Sequence, residues 1–197
     1  MKAGYVPRFS PAERVLHWVN ALGFFFLLAT GLILYLPSLS TLVSRRQTIQ
    51  ALHFWAGIGW LGALAAVLLL GWRRMLATAR ELEQFDRDDL RWLRGRGAPQ
   101  GRFNAGQKIN AALTAAFTVL FAVSGVLLWV GERDTRFRFA STVILHDGVM
   151  YVALALLVGH LYLALIHPAT RHALRGMTLG NVSGEWAARQ HAKWRPE

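Results

Sequence analysis

The chain contains no cysteine. Disulfides, iron–sulfur clusters and thiolate metal sites are thereby excluded from it. So is covalently attached c-type haem, whose attachment needs C-x-x-C-H. Charge is also scarce: Asp, Glu, Lys and Arg make up 17% of the 197 residues. Acidic residues are the scarcer kind, 11 against 22 basic, which leaves a net charge of +11. A basic soluble protein of that charge would suggest a nucleic-acid partner. An apolar content of 54% suggests a membrane instead. The two agree when the charges are segregated into loops.

They are segregated. Val15 to Ser44, Gln47 to Trp72 and Ile109 to Gly131 contain no Asp, Glu, Lys or Arg, and Phe139 to Thr170 contains only Asp147. A helix crosses the hydrocarbon core with roughly 20 apolar residues. The sequence therefore predicts four spans, at about 15–36, 51–71, 109–130 and 143–166. They are helices, since four segments cannot close a barrel, and Gly71, Gly131 and Pro168 mark their ends. The first run is longer than a signal-peptide core and no clear A-x-A site follows it, so it is expected to remain as a span. The fold class is an all-α, integral-membrane four-helix bundle forming a single domain over residues 1–197, with no internal repeat.

Basic residues set the orientation. Seventeen of the 22 lie in the N-terminal segment, the 73–108 loop and the tail from Arg171, and five lie on the other side. The positive-inside rule then places both termini, the 72–108 loop and the 167–197 tail of this multi-pass chain in the cytoplasm. The basic excess lies beside lipid, and no nucleic-acid partner is needed. Within the loop, ELEQFDRDDLRWLRGRG is a charged stretch with periodic apolar residues. It predicts a short amphipathic helix on the membrane surface, ended by the glycines of GRGAPQG.

Four of the seven histidines, His17, His53, His146 and His160, fall in or at the edge of spans. An ionisable residue at depth is costly and points to function, although an interhelical hydrogen bond accounts equally well for any single one. Residues 146 and 160 are 14 apart, about 40° short of four full turns and about 21 Å along the axis. They share one face of span four at two depths. With the helix directions above, His53 matches His146 on the external side and His17 matches His160 toward the cytoplasm. Axial ligation of two stacked haems needs that arrangement, one neutral imidazole on each side of each iron. Ala153, halfway between the span-four ligands, leaves room between macrocycles. Zinc fits worse, because each pair lacks two ligands of a tetrahedral site.

RFSPAERVLHWVNALGFFFLLATGL, ALHFWAGIGW, GRFNAGQKIN, LHDGVMYVALALLVGHLYLALIHP and the tail GMTLGNVSGEWAARQHAKW resemble the gamma subunit of membrane-bound formate dehydrogenase. The resemblance spans nearly the whole chain and agrees with the histidine pairing read from the residues. It implies a cytochrome b subunit with two haem b, respiratory in role. This subunit would relay electrons from an iron–sulfur beta subunit, fed by a molybdenum or tungsten alpha subunit that oxidises formate outside. A quinone, menaquinone or ubiquinone, would be reduced near the cytoplasmic side. The resemblance also implies that Asn104, Gly106, Gln107 and Lys108 border the quinone. His160 would serve it from the haem side, and His167 is a candidate proton donor. Asn104 with Gln107 also reads as a helix-starting capping box. Arg14, Arg45, Arg46, Arg136 and Arg138 are candidate propionate partners, or plain membrane anchors. His172 and His191 carry no site signal.

Histidine positions alone are shared with the cytochrome b subunits of nickel–iron hydrogenases and related quinone-linked enzymes. Such a subunit, a stand-alone dihaem cytochrome, and a cofactor-free membrane anchor or transporter are the competing readings.

Overall fold

The computed structural model describes residues 4–195. Lys2, one of the N-terminal charges, lies outside them, as do the last two residues of the tail. A short strand β1 (Tyr5–Pro7) leads into α1 (Pro11–Tyr35), a single turn α2 (Pro37–Ser40) and α3 (Arg46–Leu70). Next come α4 (Trp72–Glu83), α5 (Arg87–Leu93), α6 (Ala105–Gly131), a 3-10 turn at Thr135–Phe137 and α7 (Ala140–Leu161). A π-helical stretch, Tyr162–Ile166, continues α7. After a 3-10 turn at Arg171–Ala173, α8 (Leu174–Leu179), β2 (Asn181–Ser183) and α9 (Gly184–Gln190) follow. The fold is all-α apart from one pair of three-residue strands, with four helices long and apolar enough to cross a membrane.

These four helices begin three to five residues before the predicted spans, because capping rather than hydropathy starts a helix. Ser10 and Glu13 form a capping box in front of Pro11, with the Ser10 N–H donating to Glu13 Oε2 at 2.7 Å. Asn104 and Gln107 form another before α6. At the other end, α1 stops where Leu36 precedes Pro37, a residue pushed out of the helical region. The α7 backbone loosens ahead of Pro168, so that the His167 N–H reaches back five residues to the Tyr162 carbonyl at 2.9 Å.

The chain divides into two compact units. One comprises residues 15–70 and 117–152 and holds most of α1 and α3 with parts of α6 and α7. It buries few side chains, among them Trp60 and Leu64, and leaves Leu22, Leu69 and Ile144 largely exposed. Such faces suit hydrocarbon, which is as apolar as leucine. The Trp60 indole occupies the space that a Cβ at residue 23 would need, so Gly23 is required for this packing.

The other unit comprises residues 1–14, 71–116 and 153–197. Here β1 and β2 pair antiparallel with Val6 opposite Val182. Val182, Trp186 and Ala187 form a small apolar core with Val6, Ala173 and Trp194. The 72–108 stretch is two helices where the sequence suggests one amphipathic segment. Asp86 breaks it, because its carboxylate accepts from the N–H groups of Asp88 and Asp89 and caps a new helix, α5. Gly95 and Gly97 take positive φ just beyond α5 and end it.

Candidate functional site

In the unit of residues 15–70 and 117–152, α3 carries His53 and α7 carries His146. Their ring centres lie 6.3 Å apart with planes at 73°. Two imidazoles sharing one metal, each with a metal–nitrogen bond of about 2.0 Å, have ring centres roughly 6 Å apart. The ring-centre distance of the pair is compatible with bis-imidazole ligation. Among the described residues no group of three or more His, Cys, Asp or Glu converges on a metal position. Two imidazoles would suit a metal that brings its remaining ligands with it.

Both rings are held from helices that carry no member of the pair. Thr30 Oγ1 on α1 lies 2.8 Å from His53 Nδ1, and Ser124 Oγ on α6 lies 2.8 Å from His146 Nδ1. Thr30 is 6% exposed and Ser124 is fully buried. A glycine follows each hydroxyl residue. A Cβ at Gly31 would lie 3.3 Å from His53 Cε1, and one at Gly125 3.7 Å from His146 Cε1. Phe121 packs edge-on against His146 at 5.3 Å. Sequence reasoning missed Thr30 and Ser124, although Thr-Gly and Ser-Gly are among the few polar steps within the apolar runs.

His17 lies on α1 in this same unit, edge-on to Trp18 at 5.3 Å. His160 lies in the last turn of α7 and belongs to the other unit, as does His167. The His167 Nδ1 meets Thr170 Oγ1 at 3.2 Å, and the Thr170 hydroxyl itself donates to the Leu163 carbonyl.

The residues of the RFNAGQK stretch have structural duties. The Gln107 N–H donates to Asn104 Oδ1 at 2.9 Å, and the Asn104 N–H to Gln107 Oε1 at 3.0 Å. The Lys108 ammonium pairs with Asp89 at 2.7 Å and donates to the Gln84 carbonyl. Gly106 lies against the Trp92 ring, where a Cβ would come within 3.2 Å. A cleft of about 250 Å³ opens beside Phe103 and Lys108, its lining including Glu81, Phe85, Asp86 and Arg102.

A buried polar network supports this region. Glu13 accepts from Arg102 at 2.8 Å, Thr78 at 2.6 Å and Arg74 at 3.2 Å. Arg8, 2% exposed, donates to the Arg102 carbonyl and packs between the Phe9 and Trp186 rings. Burial, then the neighbouring Arg102 charge, lowers its pKa to about 9, so it stays cationic at neutral pH. His191 Nε2 lies 3.0 Å from Arg8 Nη2, and its Nδ1 lies 2.6 Å from the Gly101 carbonyl. Burial and the Arg8 charge hold His191 down to about 4. The ring is therefore neutral, with Nδ1 donating. Its buried position was not visible in a tail without periodicity. Arg14 donates to the carbonyls of Met177 and Thr178.

A family profile described as prokaryotic cytochrome b561 matches residues 8–180. The cytochrome b556(fdo) subunit of formate dehydrogenase from Escherichia coli K12 is 26% identical over 96% of this chain and 91% of its own length. The cytochrome b556 subunit of formate dehydrogenase from Haemophilus influenzae is 24% identical over 92% of this chain and 78% of its own. The nitrate-inducible cytochrome b556(Fdn) subunit from E. coli K12 is 23% identical over 98% and 91%. Four apolar helices, an imidazole pair at metal-sharing distance and a profile match over most of the length lead to one assignment: the chain belongs to the prokaryotic cytochrome b561 family, b-type haem proteins with multiple spans in the bacterial inner membrane.

Proposed function

We propose that this chain is the membrane cytochrome b subunit of a formate dehydrogenase complex, binding two haem b and passing electrons from an iron–sulfur partner to a quinone. The observation that carries this reading is the His53–His146 pair, 6.3 Å between ring centres, in a chain similar to formate dehydrogenase cytochrome b556 subunits along nearly all its length. His53 and His146 hold one haem, toward the external side. His17 and His160 hold the second, toward the cytoplasm, where both termini lie. Haem b, when bound, supplies a reversible one-electron carrier.

The chain's residues then position the acceptor and supply protons. Asn104, Gly106, Gln107 and Lys108, with His160 and His167, border the quinone. Capping occupies the Asn104 and Gln107 side-chain oxygens, so their NH₂ groups are the donors offered to quinone carbonyls. His167, whose Nδ1 faces Thr170, keeps Nε2 for proton delivery. The molybdenum or tungsten chemistry of formate belongs to a partner subunit, and so do the iron–sulfur clusters, which a chain without cysteine cannot hold.

Purification of the native complex tests this. A molybdenum- or tungsten-containing partner and formate-driven reduction of the b haem are expected. A nickel-containing partner with hydrogen-driven reduction would contradict the formate assignment.

A further inference from the structure

The two imidazoles of the external pair are clasped in the same way by two different helices. Thr30 Oγ1 lies 3.0 Å from the Phe26 carbonyl and 3.2 Å from that of Leu27, and Ser124 Oγ lies 2.6 Å from the Leu120 carbonyl. A hydroxyl has one hydrogen, and in each case the helix carbonyl takes it. With the hydrogen so placed, the oxygen facing the ring accepts, which assigns the proton to Nδ1 of both His53 and His146. Nε2 is left with its lone pair for iron. In an apolar span a donor needs an acceptor from the protein, and the two hydroxyl oxygens stand where they can provide it. The glycine after each hydroxyl lets the ring edge lie against the helix backbone.

The geometry points to Thr30 and Ser124 as positioning residues that fix the tautomer and orientation of the two axial ligands of one haem. This rests on the haem assignment proposed for His53 and His146. An acceptor on Nδ1–H makes Nε2 more electron-donating and favours the ferric state. Removing the acceptor should therefore raise that haem's midpoint potential. The contact of His167 with Thr170 is local to one turn and joins no second helix.

The test uses the purified complex with Thr30→Val, Ser124→Ala and the hydroxyl-keeping Thr30→Ser. Readouts are haem b per chain, potentiometric titration and the low-spin EPR signal of each haem. Both apolar variants are expected to shift the same haem to higher potential with an altered EPR signal. They should also weaken its retention about 10- to 100-fold, while the other haem is unchanged. Thr30→Ser should restore the unsubstituted values. Unchanged potential and EPR signal in both apolar variants would overturn the inference, as would a Thr30→Ser shift equal to that of Thr30→Val. If Thr30→Val does not assemble, Ser124→Ala, which deletes a single oxygen, separates the same two outcomes. An unsubstituted complex with no haem would overturn the haem assignment as well.

Discussion

The histidine pair and the Glu13 network solve the burial of polar groups in opposite ways. Around His53 and His146 every partner is neutral: a hydroxyl on each Nδ1, glycine at each ring edge and aromatic or aliphatic neighbours. Around Glu13 the partners are charged, with Arg102 and Arg74 on one carboxylate and Arg8 stacked between Phe9 and Trp186. The difference follows from solvent. A net charge in hydrocarbon is costly, so a site within a span is built from groups that bond without ionising. Beside water, charges can be partly buried provided that each finds a partner. The neutral surroundings suit the haem ligation proposed for the two imidazoles. The ionic network ties chain segments together through the fully partnered Glu13 carboxylate, while Arg8 Nε and Nη1 are buried without a hydrogen-bond partner.

Substitutions separate the two regions. The largest effect expected is on cofactor content: His53→Ala or His146→Ala should remove one haem and keep the other, read by haem spectra at both potentials. Loss of only the second haem would mean that the pairing is wrong. Next, Glu13→Ala removes one of the two carboxylates that pair with buried Arg102 and leaves it Glu81. It should cost about 3 kcal/mol, seen as a lower Tm in detergent, while the spectrum of the haem proposed at His53 and His146 stays unaltered.

Acidification should act on the ionic region. His191 has a folded-state pKa of about 4, below its ordinary 6.5, so the unfolded chain binds a proton that the folded one refuses. The stability due to its burial is complete above pH 6.5 and is lost as pH falls toward 4, on the order of 3 kcal/mol. His191→Gln should flatten that part of the Tm profile, and an unchanged acid slope would assign the effect elsewhere. Smaller again is the response to a methyl group. Gly31→Ala should disturb its haem's EPR signal more than Gly125→Ala does, since the added Cβ meets the imidazole at 3.3 Å in one case and 3.7 Å in the other. Asn104→Ala should cost about 1 kcal/mol as a lost N-cap and, if the quinone borders it, slow quinone reduction with both haems retained.

Legibility in the sequence divides along the same line. The spans were readable because charge-free runs report lipid directly, and the histidine spacing because period 3.6 needs no tertiary knowledge. Helix starts were off by one turn. Hydropathy does not see that Ser10 with Glu13, or Asn104 with Gln107, begins a helix before the apolar run does, although the latter box was itself readable from its three-residue spacing. Asp86 and Asp89 carry the same signal inside the 81–97 stretch, where amphipathic periodicity masked it. Thr30 with His53, Ser124 with His146 and Arg8 with His191 were not readable. They join positions 23, 22 and 183 residues apart, and helix rotation and chain return decide such contacts.

That four histidines hold two haems in this one chain is the proposal on which the other expectations depend. Pyridine haemochrome analysis of the purified subunit against protein concentration tests it most directly. Two b haems per chain are predicted, falling to one in His146→Ala. A subunit that carries no haem would contradict the account.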